Sequence, residues 1–262
     1  MVFNMPGDDP FDNADNKIIR SEDGSFTAYS VLFNEHYHST RDGALNESLQ
    51  KHVVPAMSLH SRKEELTILD ICFGLGFNTL ATLYYLKEQG ASKKIRIFSP
   101  ELDGALVESL RNFPYPKEFG GFLPVVDALS KNGRYEDKDI FIDVYIGDAR
   151  EYLHTCTEQF DIVYHDAFSP DTNPVLWTKE YFADIARLMK NDAVLTTYSI
   201  ALKTRLALYE NGMNVYLNKM EGCRDSTLAS KSELPGCIKV DMEHKISCNP
   251  GVRPLYDKVA VR

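Results

Sequence analysis

The 262-residue chain is short of several features that would mark other classes of protein. No apolar run approaches the roughly 18–20 residues that a bilayer-spanning helix needs. The first residues, MVFNMPGDDPFDNADN, are acidic and lack the basic-then-apolar order of a secretory leader. The expectation is a cytoplasmic protein with no membrane partner. Cysteine occurs only as Cys72, Cys156, Cys223, Cys237 and Cys248. An odd count without close pairs argues against a disulfide framework and a zinc site. Free thiols and no metal are expected, and Cys223, Cys237 and Cys248 crowd the C-terminal part without ligand spacing. There is no repeat, low-complexity run or long linker, and tryptophan occurs once, at Trp177.

Positive charge is scarce as well: the net charge is −9. It is uneven, with a balance of −13 over residues 1–186 and +4 over residues 187–262. The total disfavours a nucleic-acid partner, but nucleic acid responds to local patches more than to totals. The C-terminal third is therefore a candidate phosphate-facing surface, with Lys203, Arg205, Lys219, Arg224 and Lys231 as its cations.

What the chain does contain is a regular alternation. Residues 25–33, SFTAYSVLF, alternate like a strand. Residues 43–57, GALNESLQKHVVPAM, have helical spacing through Leu45, Leu49, Val53 and Val54, with a stop expected near Pro55. From LTILDICFG at residue 66 onward, strand and helix patterns alternate as far as residue 219. That order implies an α/β fold, a Rossmann-like, doubly wound, mostly parallel sheet. Residues 1–60 read as a lead-in packing on a core of residues 61–262, with the first 16 frayed or loosely docked. Such sheets bind ligands beyond the carboxyl ends of their strands.

Each chemical motif falls at such an end. Gly74 and Gly76 follow a strand and precede a helix, where glycine permits a sharp turn and close backbone approach. Asp70, four positions earlier, is suited to the cationic amino-acid end of S-adenosylmethionine. Glu101, with Asp103 in reserve, ends the next strand and is placed to accept from both ribose hydroxyls. Asp148 opens a helix, where it caps the backbone and can also accept from an adenine amino group beside the Ala149 N–H. Asp166 ends the strand FDIVYHD and is followed by a stiff loop. There an acceptor can orient an amine lone pair, stabilise the positive charge growing on nitrogen and take up the lost proton, directly or through water. Phe168 and Pro170 are placed to wall off water, whereas Trp177 reads as a packing aromatic. Tyr198 lies at a later strand end, and Lys203 and Arg205 open the next helix, where a nearby anion would offset the dipole.

The set LDICFGLGFNTLATL, PELD, YIGDARE, HDAFSPDTNPVLWTKEYFADIARLM and LTTYSIALKTRLALYENG resembles the methyltransferase part of the tRNA 5-methylaminomethyl-2-thiouridine biosynthesis proteins, the MnmC family. The stretch around HYHS at residues 36–39 is similar to that family's lead-in. The resemblance implies a class I methyltransferase fold with S-adenosyl-L-methionine as cofactor. It implies Tyr37, His38, Ser39, Phe73, Gly74, Gly76, Asn78, Glu101, Asp148 and Ala149 on the cofactor side and Asp166 nearest the acceptor amine. The implied reaction is N-methylation of the 5-aminomethyl group on the wobble uridine of tRNA. Two positions depart from the family pattern: Ala167 stands where glycine is frequent, and His165 where an apolar residue is usual. The length implies a standalone form without the flavin oxidase, supplied with the aminomethyl group by another enzyme. Two other readings remain open: an aminopropyltransferase of the spermidine synthase type, and a non-catalytic nucleotide-binding scaffold of the same fold.

Overall fold

The computed structural model describes Phe11, residues 15–220 and residues 222–260. A small antiparallel sheet holds β1 (Asn16–Arg20), β2 (Phe26–Ser30) and β3 (Glu35–His36). The large sheet holds β4 (Glu65–Ile71), β5 (Lys94–Glu101), β6 (Arg134–Glu136), β7 (Ile140–Ile146), β8 (Phe160–His165), β9 (Met189–Thr197), β10 (Asn214–Asn218), β11 (Ser226–Ser230) and β12 (Ile238–Lys239). Their order is β12-β10-β11-β9-β8-β4-β5-β7-β6. The five central strands, β9 to β7, are parallel, and the outer pairings are antiparallel. The chain runs outward from β4 through β5 to β7, then returns to β8 on the other side of β4. The direction of winding reverses at β4, so the loops after β4, β5 and β8 open into one crevice.

Strand alternation explains why both faces are covered. Ile68 of β4 and Ile162 of β8 enter one core, while Leu69, Ile71 and Val163 enter the other. The first face carries α1 (Ala44–Glu47), a π-helical turn (Ser48–Val53), α2 (Val54–Leu59), α3 (Phe77–Glu88), α4 (Gly104–Ser109) and α5 (Leu123–Asn132). The second carries α6 (Ala149–Thr155), α7 (Lys179–Leu188) and α8 (Leu202–Glu210).

Three expectations change. The helix of residues 43–57 does not stop at Pro55, because proline falls in the first turn of α2, where its missing N–H costs little. Of the first 16 residues, 1–10 and 12–14 lie outside the described residues. Phe11 is fully buried and meets Phe113 edge-on at 5.0 Å, and Asn16 opens β1, so these two are docked rather than frayed. The strands β1, β6, β11 and β12 and the helix α5 were not anticipated, the strands because they are two to five residues long.

Candidate active site

A cavity of about 1280 Å³ lies at the carboxyl ends of the central strands. A single small-molecule site spans roughly 300–1,000 Å³, so this one has room for two ligands. Its floor is built by Cys72–Leu75 after β4, Pro100–Asp103 at the end of β5, Gly147–Ala149 after β7 and Asp166–Phe168 after β8. Its roof is the lead-in, residues 35–41, with Leu32 and Phe33. The roof is fastened down: Glu35 accepts from the backbone and the hydroxyl of Ser169, and Phe33 stacks on Phe168 with centroids 4.8 Å apart.

The loop after β4 turns through left-handed backbone at Cys72, Gly74 and Gly76, with φ of 63°, 53° and 72°. For Cys72 that conformation is strained, which is frequent at functional sites. A Cβ on Gly74 would lie 3.2 Å from the ring of Tyr37. Glycine therefore keeps open a cradle between loop and roof. Across it, Glu101 Oε2 accepts from Gly74 N at 2.8 Å and Oε1 from Asp103 N at 2.9 Å. Burial pushes the Glu101 carboxyl upward, against the amides that favour its charge. Asp103 caps α4 through Leu106 N. Asp148 Oδ1 caps α6, accepting from Arg150 N and Glu151 N at 2.7 and 3.1 Å. Ala149 N–H belongs to the same first turn, and both residues line the cavity.

Asp166 sits deeper. Its Oδ2 accepts from Asn78 Nδ2 at 2.9 Å, and its Oδ1 lies 3.5 Å from His52 Nε2. Burial opposes ionisation, but His52, His38 and Asn78 outweigh it and hold the carboxyl well below the usual range. The loop that follows is pinned by three side chains. His165 Nε2 donates to Leu176 O at 2.8 Å, Trp177 Nε1 to Phe168 O at 2.7 Å, and Tyr198 Oη to Ala167 O at 3.1 Å. Burial lowers the His165 imidazole to about 4. The departure at His165 is therefore a neutral pin packed edge-on to Trp177.

The model of a family of S-adenosyl-L-methionine-dependent methyltransferases matches residues 123–232. The chain is 29% identical to MNMC2 from Aquifex aeolicus, whose crystal structure it matches over 96% of its own length and 82% of that chain, with a TM-score of 0.82. It is 32% identical to the tRNA 5-methylaminomethyl-2-thiouridine biosynthesis bifunctional protein MnmC of an Azoarcus species, over 74% of this chain and 32% of that one. It is 30% identical to an uncharacterised protein of Methanocaldococcus jannaschii, over 82% of this chain and 59% of that one. In sequence and fold the chain is similar to S-adenosyl-L-methionine-dependent methyltransferases of the MnmC type. It spans about a third of the length of the bifunctional relative.

The cavity gathers most residues the sequence singled out: Tyr37, His38, Ser39, Phe73, Gly74, Asn78, Glu101, Asp148, Ala149, Asp166, Phe168, Tyr198 and Arg224. The other candidates do not line it, Lys219 among them. Asp70 is buried beneath the loop, where its carboxyl accepts from Thr79 Oγ1 at 2.8 Å, so it does not meet a ligand's cationic end. Burial lifts it to about 8. Gly76 serves the turn, since a Cβ there would strike the Phe73 ring at 2.9 Å. Pro170 lies outside the wall, to which Phe168 contributes. Lys203 is exposed away from the cavity, and Arg205 turns inward, donating from Nε to Thr227 Oγ1 at 3.1 Å. Lys231 is also spent, on Met189 O. The depressed Asp166 carboxyl favours the water-mediated one of the two routes expected for the lost proton.

Sequence reasoning missed His52, Glu47 and Lys51, which come from α1 and the π-helical turn. Lys51 is buried between Glu47 and Asp42. The available signal was charge inside an apolar helical pattern. All five cysteines are free, and no helix among the described residues is long and apolar enough to cross a membrane.

Proposed function

We propose that the chain methylates the 5-aminomethyl nitrogen of a wobble uridine in tRNA. The observation that carries this reading is the placement of Asp166 in the same cavity as Glu101. The residues fit the cofactor: the Gly74 cradle is open, and Glu101 keeps its lone pairs beyond the two amides for a vicinal diol. Asp148 and Ala149 suit an adenine edge. S-adenosyl-L-methionine, when bound, supplies an electrophilic methyl group.

The chain's own residues then do three things. Asp166 accepts from the acceptor N–H groups and so aims the nitrogen lone pair. Its charge balances the positive charge that develops on that nitrogen. Phe33, Tyr37 and Phe168 exclude water above the site. The proton lost from nitrogen leaves through cavity water rather than resting on Asp166. Arg224, exposed at the rim and bonded to Asp42 and Ser39, is the cation we assign to the tRNA backbone. The reading also makes the chain a partner of an upstream enzyme that supplies the aminomethyl group.

An aminopropyltransferase would need further free carboxylates for a diamine. Glu35 and Glu47 line the cavity, but they are engaged by Ser169 and by Lys51 with the Ser39 amide. The deciding experiment is transfer of labelled methyl from S-adenosyl-L-methionine to tRNA bearing unmethylated 5-aminomethyluridine, at two salt concentrations. Salt-sensitive label in the wobble nucleoside is expected. A folded, cofactor-binding protein that leaves this tRNA unlabelled overturns the reading.

A further inference from the structure

We propose that His52 is a positioning residue for Asp166, fixed by Thr196 so that its Nε2–H holds the carboxylate in one orientation and in its ionised form. The proposal rests on the reading of Asp166 as the group that meets the acceptor amine.

His52 is fully buried on the π-helical turn, beneath the cavity rather than in its wall. Such turns shift side chains out of α-helical register and recur at functional sites. Its Nδ1 lies 2.8 Å from Thr196 Oγ1, and its Nε2 faces Asp166 Oδ1 at 3.5 Å with no closer partner. A neutral imidazole carries one N–H. Were it on Nδ1, the ring would donate to Thr196 and turn an Nε2 lone pair toward a carboxylate. In a buried site that repulsion is costly. With Thr196 donating to Nδ1 instead, the proton sits on Nε2, the ring nitrogen that faces Oδ1. The 3.5 Å separation leaves room to tighten when an acceptor binds.

The carboxylate is thus held from two elements, Oδ1 by the π-helical turn and Oδ2 by Asn78 in the first turn of α3. Other groups act on it from all sides: His38 of the roof, Asp70 of β4, Cys72 of the glycine loop, His165 of β8 and Tyr198 after β9. His52 leads the groups that favour its ionised form, through its charge when protonated and through its N–H in either state. An amine-binding site needs this, because a protonated Asp166 would offer the amine a donor instead of an acceptor.

The test is the titration of Asp166, followed by its carboxyl carbon resonance in protein without cofactor, in wild type, H52A, H52Q and T196V. H52A is expected to raise the Asp166 pKa by about one unit or more. H52Q restores a donor and shifts it less, and T196V, which leaves Nδ1 without its donor, shifts it in the same direction as H52A. Cofactor affinity should stay within about threefold, and the acidic limb of the kcat/KM profile should move up with the titration. Should H52A not fold, H52Q and T196V decide. An unchanged Asp166 titration in the folded variants overturns the role of His52. Full turnover in D166N would instead overturn the reading of Asp166, and the two failures are distinct.

Discussion

Asp70 and Asp166 share one amide: Asn78 Nδ2 is 2.9 Å from Asp166 Oδ2 and 3.4 Å from Asp70 Oδ1. The two carboxyls titrate in opposite directions. Burial first, with the Asp166 charge as a smaller cause, lifts Asp70 to about 8, while the histidines hold Asp166 down. At neutral pH one is the acid and the other the carboxylate, and the amide between them donates to the charged one at the shorter distance.

This pairing gives stability a definite pH dependence. A carboxyl raised to about 8 in the folded state is penalised as pH rises from the unfolded value, about 3.9, through 8. The slope is at most about 1.4 kcal/mol per pH unit. D70N should therefore gain stability relative to wild type between pH 5 and pH 8. Asp166 works the other way: its depressed pKa stabilises above about pH 3.9, and that contribution is lost as pH falls below it. Denaturant melts at pH 5 and pH 8 check the first sign, and parallel slopes for D70N and wild type would contradict it.

D166N keeps the shape of the side chain and removes its charge. Turnover should fall by at least about a hundredfold, the scale of losing one charge-stabilising group. S-adenosyl-L-methionine binding by calorimetry should change by less than about threefold, since the cofactor side of the cavity is untouched.

E101Q should do the reverse. Charge-assisted hydrogen bonds contribute about 1.5–3 kcal/mol. The loss of the carboxylate should weaken cofactor binding by roughly ten- to a hundredfold. A change of under twofold would remove Glu101 from the cofactor site.

G74A tests the cradle against a built-in control. Gly74 and Gly90 both have left-handed backbone, but a Cβ at Gly90 meets nothing within 4 Å. Each alanine should cost about 1–2 kcal/mol of stability. Only G74A should also lower cofactor affinity, because its methyl group pushes on Tyr37.

Arg224 and Arg205 separate surface from interior. R224A should weaken tRNA binding and reduce the salt slope by about one. R205A should leave the slope unchanged, since its guanidinium is turned onto Thr227.

Much of the site was legible because it hangs on strand ends. Glu101, Asp148 and Asp166 each close a strand or open a helix, and the parallel order brings those ends together. Asp70 was misread because only its distance from the glycines was weighed. It shares strand parity with Ile68, whose side chain enters the core under α3, and that parity sends it inward to Thr79. His52 was hidden for a different reason. It stands among Leu49, Val53 and Val54 in a pattern that reads as a plain amphipathic helix, and the π-helical turn that aims it leaves no mark in residue spacing. Arg205 was assigned by its place at a helix start, which does not tell which way a long side chain folds.

The contact between Glu35 and Ser169 closes a loop of 134 residues. During synthesis, the roof strand leaves the ribosome long before its anchor exists. The glycine cradle and Glu101 are made earlier than the residue that fastens the cover over them. Assembly of the site is thus a late event, joined to completion of β8, and a nascent chain that ends before Ser169 carries the cofactor-side residues without a closed chamber in which to use them.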